Sequence, residues 1–121
     1  MSPIVALLIA ISFSVCGEML LKVGMNQVGN LDLTGMHAIP TLIRAFTTPA
    51  VLIGFILIFG GSLFWLSVLS KAHLSWAYPM LSMSYILVVF LSAWLLNEPV
   101  TAWRIAGVLT IIAGVFMVYR S

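Results

Sequence analysis

Ser14, Glu18 and Lys22 recur every fourth residue inside an otherwise apolar run. At helical pitch that spacing puts all three on one face. Glu18 lies a turn N-terminal to Lys22, the favourable order for an ion pair. At the centre of a membrane helix each charged group costs roughly 2.5–3.5 kcal/mol by the milder scales. Two readings follow. The pair neutralises itself and merely orients its helix, or it lines a polar cavity. In the cavity, Glu18 would exchange protons or cations and Lys22 would hold an anionic headgroup. Lys22 sits near the helix end, where its stem can reach the interface, whereas Glu18 is deeper.

A second set of polar residues follows Trp76. Tyr78, Ser82 and Tyr85 fall at i, i+4 and i+7 and form a hydroxyl-edged stripe. Pro79 lacks an N–H and is expected to bend this helix. The stripe is either a packing face or the wall of a substrate cavity. Trp65, just after Gly60-Gly61-Ser62, is assigned to the same cavity. Glu98 lies between apolar runs, ahead of the last one, where a carboxylate complements a helix N-terminus. Gly107 and Gly114, with Thr110 between them, share one face of the last run. Small residues let helices approach closely in lipid, so this face is expected to meet a second protomer. His37 and His73 are isolated in the links, with no metal-ligand cluster. No nucleophile, base and orienting group can be assembled, so neither catalytic residues nor a cofactor are expected and the chain does not read as an enzyme.

The elements that must carry these residues follow from composition. Of 121 residues, 63% are hydrophobic and 7% charged, and the mean hydropathy is +1.22. A soluble domain carries about a quarter charged residues. That excludes a soluble enzyme, a nucleic-acid binder and a disordered tail. Five Lys/Arg against three Asp/Glu set a basic pI without any cluster suited to a polyanion. Cys16 is a lone cysteine in an apolar run. The start Met1-Ser2-Pro3 lacks the positive segment of a secretory signal, so the first run is expected to remain in the protein.

Four stretches reach the roughly 20 apolar residues that a membrane helix needs. They run from about Pro3 to Met25, Pro49 to Ser70, Trp76 to Leu96 and Trp103 to Tyr119. Lipid offers backbone groups no partner, so each must be helical. The reading is a single all-α domain of four transmembrane helices. The link from Asn26 to Thr48 is long, and His37 to Phe46 within it suits a segment along the headgroups or a plain ordered loop. Lys71 and Arg120 would share one side of the membrane, and Lys22, Arg44 and Arg104 the other. So small a bias does not set orientation. Balanced charge and too few helices to enclose a pathway together favour an antiparallel dimer.

Four short helices, a membrane carboxylate in the first and the glycine pair in the fourth resemble the small multidrug resistance transporters of the drug/metabolite transporter superfamily. Gly17, Lys22, Tyr78, Gly107 and Gly114 match that family's pattern. The resemblance implies a cavity built from the first three helices and dimer contacts through the fourth. Ser14 stands where that family has its proton-coupled glutamate, and Leu81 where it has a tryptophan, so its proton site is not carried over intact. Ser14-Val15-Cys16-Gly17-Glu18 with Lys22, then Ala77-Tyr78-Pro79-Met80-Leu81-Ser82 and Asn97-Glu98-Pro99-Val100, more closely resemble the EamA-like aminoarabinose-phosphoundecaprenol flippase subunits, which typically have glutamine at the Glu18 position.

This second resemblance implies a flippase of the bacterial inner membrane that moves an undecaprenyl-phosphate-linked sugar, as a homodimer or beside a sister subunit. Lys22 would neutralise the phosphate, while Tyr78, Ser82 and Tyr85 would face the sugar, with Ser14 in the same substrate cavity. Glu18 would position Lys22 or bind an amino group. The alternatives are a proton-coupled exporter of hydrophobic cations and a non-transporting accessory subunit.

Overall fold

The computed structural model describes residues 1–121. It contains six helices, α1 Pro3–Val28, α2 Ala38–Thr47, α3 Pro49–Lys71, α4 Leu74–Leu81, α5 Met83–Leu95 and α6 Ala102–Arg120. There are no strands, and 82% of the chain is helical. Four helical stretches are long and apolar enough to cross a membrane: α1, α3, α4 with α5, and α6. Only 16 of 121 residues are buried, so most of the apolar side chains point outward. Such a surface is stable against lipid and not against water. The chain is an all-α integral membrane protein.

The helix ends follow local chemistry. Ser2 Oγ accepts from the Val5 N–H at 3.3 Å, and Pro3 occupies the first turn, where its missing N–H costs nothing. Helix α1 runs on to Val28, past the expected end near Met25, and stops at Gly29, whose φ is 102°. Thr101 Oγ1 accepts from the Arg104 N–H at 3.2 Å and opens α6. The long first link holds a true helix, α2, where a plain loop was the alternative. Arg44 ties α2 to the end of α1 by donating from Nη2 to the Val28 carbonyl at 3.0 Å. Ile39, Ile43 and Phe46 of α2 remain exposed. In the preceding turn, the N–H and hydroxyl of Thr34 donate to Asp32 and hold its carboxyl below the usual carboxylate range.

Packing centres on α1 against α3, through residues with little or no side chain. A Cβ at Gly17 would lie 2.6 Å from the Gly54 carbonyl oxygen, and one at Gly54 would lie 2.7 Å from that of Gly17. Gly61 is closely packed too: its Cβ would meet Phe13 at 2.9 Å. Close approach replaces water expulsion as the cohesive force in lipid. The third span is not continuous, since α4 and α5 are separated at Ser82. Pro79 deprives the Ser75 carbonyl of its helical donor. The interruption itself falls later, where the N–H of Ser82 donates to the Pro79 carbonyl at 3.0 Å and Ser82 Oγ donates to the same oxygen at 2.5 Å.

Candidate functional site

The middle of α1 faces this interruption. Ser14 and Glu18 from α1 meet Tyr78, Pro79 and Leu81 from α4, Ser82 at the break, and Ser84 and Tyr85 from α5. Together they line an open cleft of about 360 Å³. Its polar inventory is one carboxylate and five hydroxyls, with no cation. Ser14 and Leu81 also border a smaller hollow of about 150 Å³, reached by Trp65 of α3. Trp65 stands edge-on to Tyr78, with ring centroids 6.2 Å apart. The five residues Ser14, Glu18, Tyr78, Ser82 and Tyr85 therefore share one cleft, and Trp65 stands behind it.

Lys22 does not join them. The expected ion pair with Glu18 is absent, and Lys22 Nζ lies 3.8 Å from Glu98 Oε1 instead. The physical reason is topological. Helix α1 and the third span end on the same side of the bundle, so the link after α5 brings Glu98 beside the last turns of α1. Glu98 was assigned from sequence to the N-terminus of the last helix. That end is capped by Thr101, and Glu98 pairs with Lys22. The signal that could have revealed this was the count of spans, which puts Lys22 and Glu98 on one side. Ser84, buried and lining the cleft, was also missed because it lies off the Tyr78–Ser82–Tyr85 stripe.

Chemically, the cleft is a hydrogen-bonding pocket with one negative charge. A carboxylate only accepts, whereas hydroxyls both donate and accept. The set suits a ligand rich in hydroxyls that carries an ammonium or another cation. The Tyr78 and Tyr85 hydroxyls make no internal hydrogen bond and both rings are exposed. Ser82 differs, because its hydroxyl is engaged by Pro79. A larger hollow of about 500 Å³ lies at the bundle end near Ser2, His73 and Trp76. It contains none of the ionisable residues of the spans.

Helix α6, which packs against α4 and α5, contributes no buried residue. A Cβ added at Gly107 or Gly114 would meet nothing within 4 Å. Thr110 donates its hydroxyl to its own helix, at the Ala106 carbonyl, 2.9 Å away. Neither glycine has a neighbour from another part of the chain, and Thr110 is exposed.

No family model matches the chain, and no solved structure matches it significantly. Curated relatives do. A Serratia proteamaculans protein named "Probable 4-amino-4-deoxy-L-arabinose-phosphoundecaprenol flippase subunit ArnE" is 37% identical over 78 residues, covering 64% of this chain and 68% of that protein. Proteins of the same name from Pseudomonas aeruginosa and Sodalis glossinidius are 39% and 41% identical. Those two matches cover 50% and 52% of this chain, and 53% and 57% of the relatives. The chain thus spans little more than half the length of these two. With more than two thirds of the Serratia protein matched at this identity, the chain belongs to the ArnE family of flippase subunits.

Proposed function

We propose that this chain is a subunit of a flippase that carries an undecaprenyl-phosphate-linked amino sugar across the bacterial inner membrane. The chain is a carrier rather than an enzyme, and it works as a dimer, with itself or with a sister subunit. The relatives are named for 4-amino-4-deoxy-L-arabinose-phosphoundecaprenol. One observation carries the reading: the cleft joins five hydroxyls to a carboxylate that has no cation within 4 Å. Sugar hydroxyls fit the former and a sugar ammonium fits the latter. The cleft is open at its edge, so a polyprenyl tail can remain in lipid while the headgroup crosses.

The test uses vesicles that hold the complex and the sugar lipid, with an impermeant amine-reactive label reporting arrival of the headgroup outside. A hydrogen bond to a charged group is worth about 1.5–3 kcal/mol. Glu18→Ala should therefore slow transport by roughly 10- to 100-fold. Glu18→Gln keeps an acceptor and should be milder.

The uncompensated Glu18 also supports a second reading, a proton-coupled exporter of hydrophobic cations. In that case Glu18→Gln abolishes efflux of a lipophilic cation, and the sugar lipid does not move even with the native chain. If neither cargo responds to Glu18 while the level of the sister chain depends on this one, the chain is an accessory subunit.

A further inference from the structure

The cleft leaves one charged cluster unused. Lys22 and Glu98 are 3.8 Å apart, and 53% and 37% of their side chains are exposed. An ion pair so long and so open adds little to stability. The link that carries Glu98 is, by contrast, firmly built. The N–H groups of Leu96 and Glu98 both donate to the Ser92 carbonyl, at 3.2 and 3.1 Å. Asn97 turns the chain with a φ of 54°. Arg104 Nη1 donates back to the Pro99 carbonyl at 2.8 Å. The backbone that carries Glu98 is thus set beside the last turns of α1 without any help from the ion pair, and only the side chain reaches Lys22. Beside it opens a hollow of about 250 Å³ that Ser92, Glu98 and Arg104 help to line.

Resting on the flippase reading above, we infer that this corner is a seat for the phosphate group of the lipid, with Lys22 and Arg104 as its cations and Glu98 as a resident stand-in. The carboxylate occupies Lys22 until a phosphate takes its place. Lys22 does not line the hollow and meets it through Glu98, whose carboxylate stands between it and the Arg104 side, so two cations against one carboxylate leave a net positive charge when the seat is idle. A phosphate offers more acceptor oxygens than a carboxylate, and the planar guanidinium of Arg104 suits them. The Glu18 cleft cannot hold a phosphate itself, since its one charge is negative. Glu18 and Lys22 are one turn apart, about 6 Å along α1. One headgroup can therefore put its sugar at Glu18 and its phosphate at Lys22. The weakness of the resident pair is what makes the exchange reversible: a tight pair would exclude the cargo, and an unopposed Lys22 would retain it.

The experiment is native mass spectrometry of the full chain in detergent, titrated with undecaprenyl phosphate that carries no sugar. Glu98→Gln should bind this lipid about two- to fivefold more tightly than the native chain, the range expected from releasing an exposed pair. Lys22→Gln should bind it more weakly, and adding Glu98→Gln to that variant should restore nothing. Inorganic phosphate serves as competitor. Displacement of the lipid assigns the seat to the phosphate group, whereas binding of inorganic phosphate without binding of the lipid overturns the proposal. Unchanged or weaker lipid binding by Glu98→Gln overturns it as well. The probe has no sugar, so failure here with Glu18-dependent transport intact removes the seat and leaves the cleft standing. Loss of Glu18 dependence with the Glu98 effect intact does the reverse.

Discussion

Hydroxyls that line the same cleft are not equivalent. Ser82 Oγ is spent on the Pro79 carbonyl, while the Tyr78 and Tyr85 hydroxyls have no internal partner. Tyr78→Phe and Tyr85→Phe should each slow sugar-lipid transport by about 2- to 10-fold, the worth of one neutral hydrogen bond. Thermal unfolding in detergent should not change, because nothing in the fold depends on either hydroxyl. Ser82→Ala should show the opposite pattern, a shift in unfolding with a smaller direct loss of binding. Equal behaviour of all three variants in both assays would remove the distinction. The residue spacing made much of this cleft legible, since Ser14 and Glu18 share a face of α1 and Tyr78, Ser82 and Tyr85 share a stripe. It did not reveal the partner of Lys22. An i, i+4 neighbour is only one choice open to a flexible lysine, and Glu98 arrives from a distant link.

The elements were readable for a different reason. Lipid leaves a long apolar run no alternative to a helix, so four spans follow from hydropathy alone. The break at Ser82 and the α1–α3 seam depend instead on how neighbouring backbones meet, which no local pattern encodes. Gly60-Gly61-Ser62 illustrates the limit, because flexibility and tight packing leave the same trace in sequence. The seam carries its own prediction. Gly54→Ala would put a Cβ 2.7 Å from the Gly17 carbonyl oxygen, a backbone atom that cannot rotate away. Overpacking of this kind costs about 1–3 kcal/mol, so the unfolding temperature in detergent should fall. Gly107→Ala meets nothing within 4 Å and should leave the same transition of the isolated chain where it was. If the two substitutions shift unfolding equally, the seam does not hold the bundle together.

At the scale of the whole molecule, one device appears three times. Gly17 with Gly24 in α1, and Gly54 with Gly61 in α3, repeat at the spacing of Gly107 and Gly114 in α6. The first two pairs are filled by a neighbouring helix, and the third has no neighbour in the chain. Helix α6 buries nothing, and its Trp103 is 88% exposed. A surface that repeats an internal packing motif is suited to receive another helix, and a second protomer's α6 can supply it. The two sides of the bundle carry Lys71 and Arg120 against Lys22, Arg44 and Arg104, a balance that sets no firm orientation and so accommodates an antiparallel partner. Gly114→Ile tests the contact. A Cβ at this position meets nothing within 4 Å in the monomer, so helical content by circular dichroism should be unchanged. Association, followed by sedimentation in detergent, should weaken by tenfold or more, since a branched side chain blocks close backbone approach. Transport should fall with it, as the dimeric carrier proposed above requires. Undiminished association of the Gly114→Ile chain would move the interface away from α6, and loss of transport without loss of association would tie the glycine to the cargo path instead.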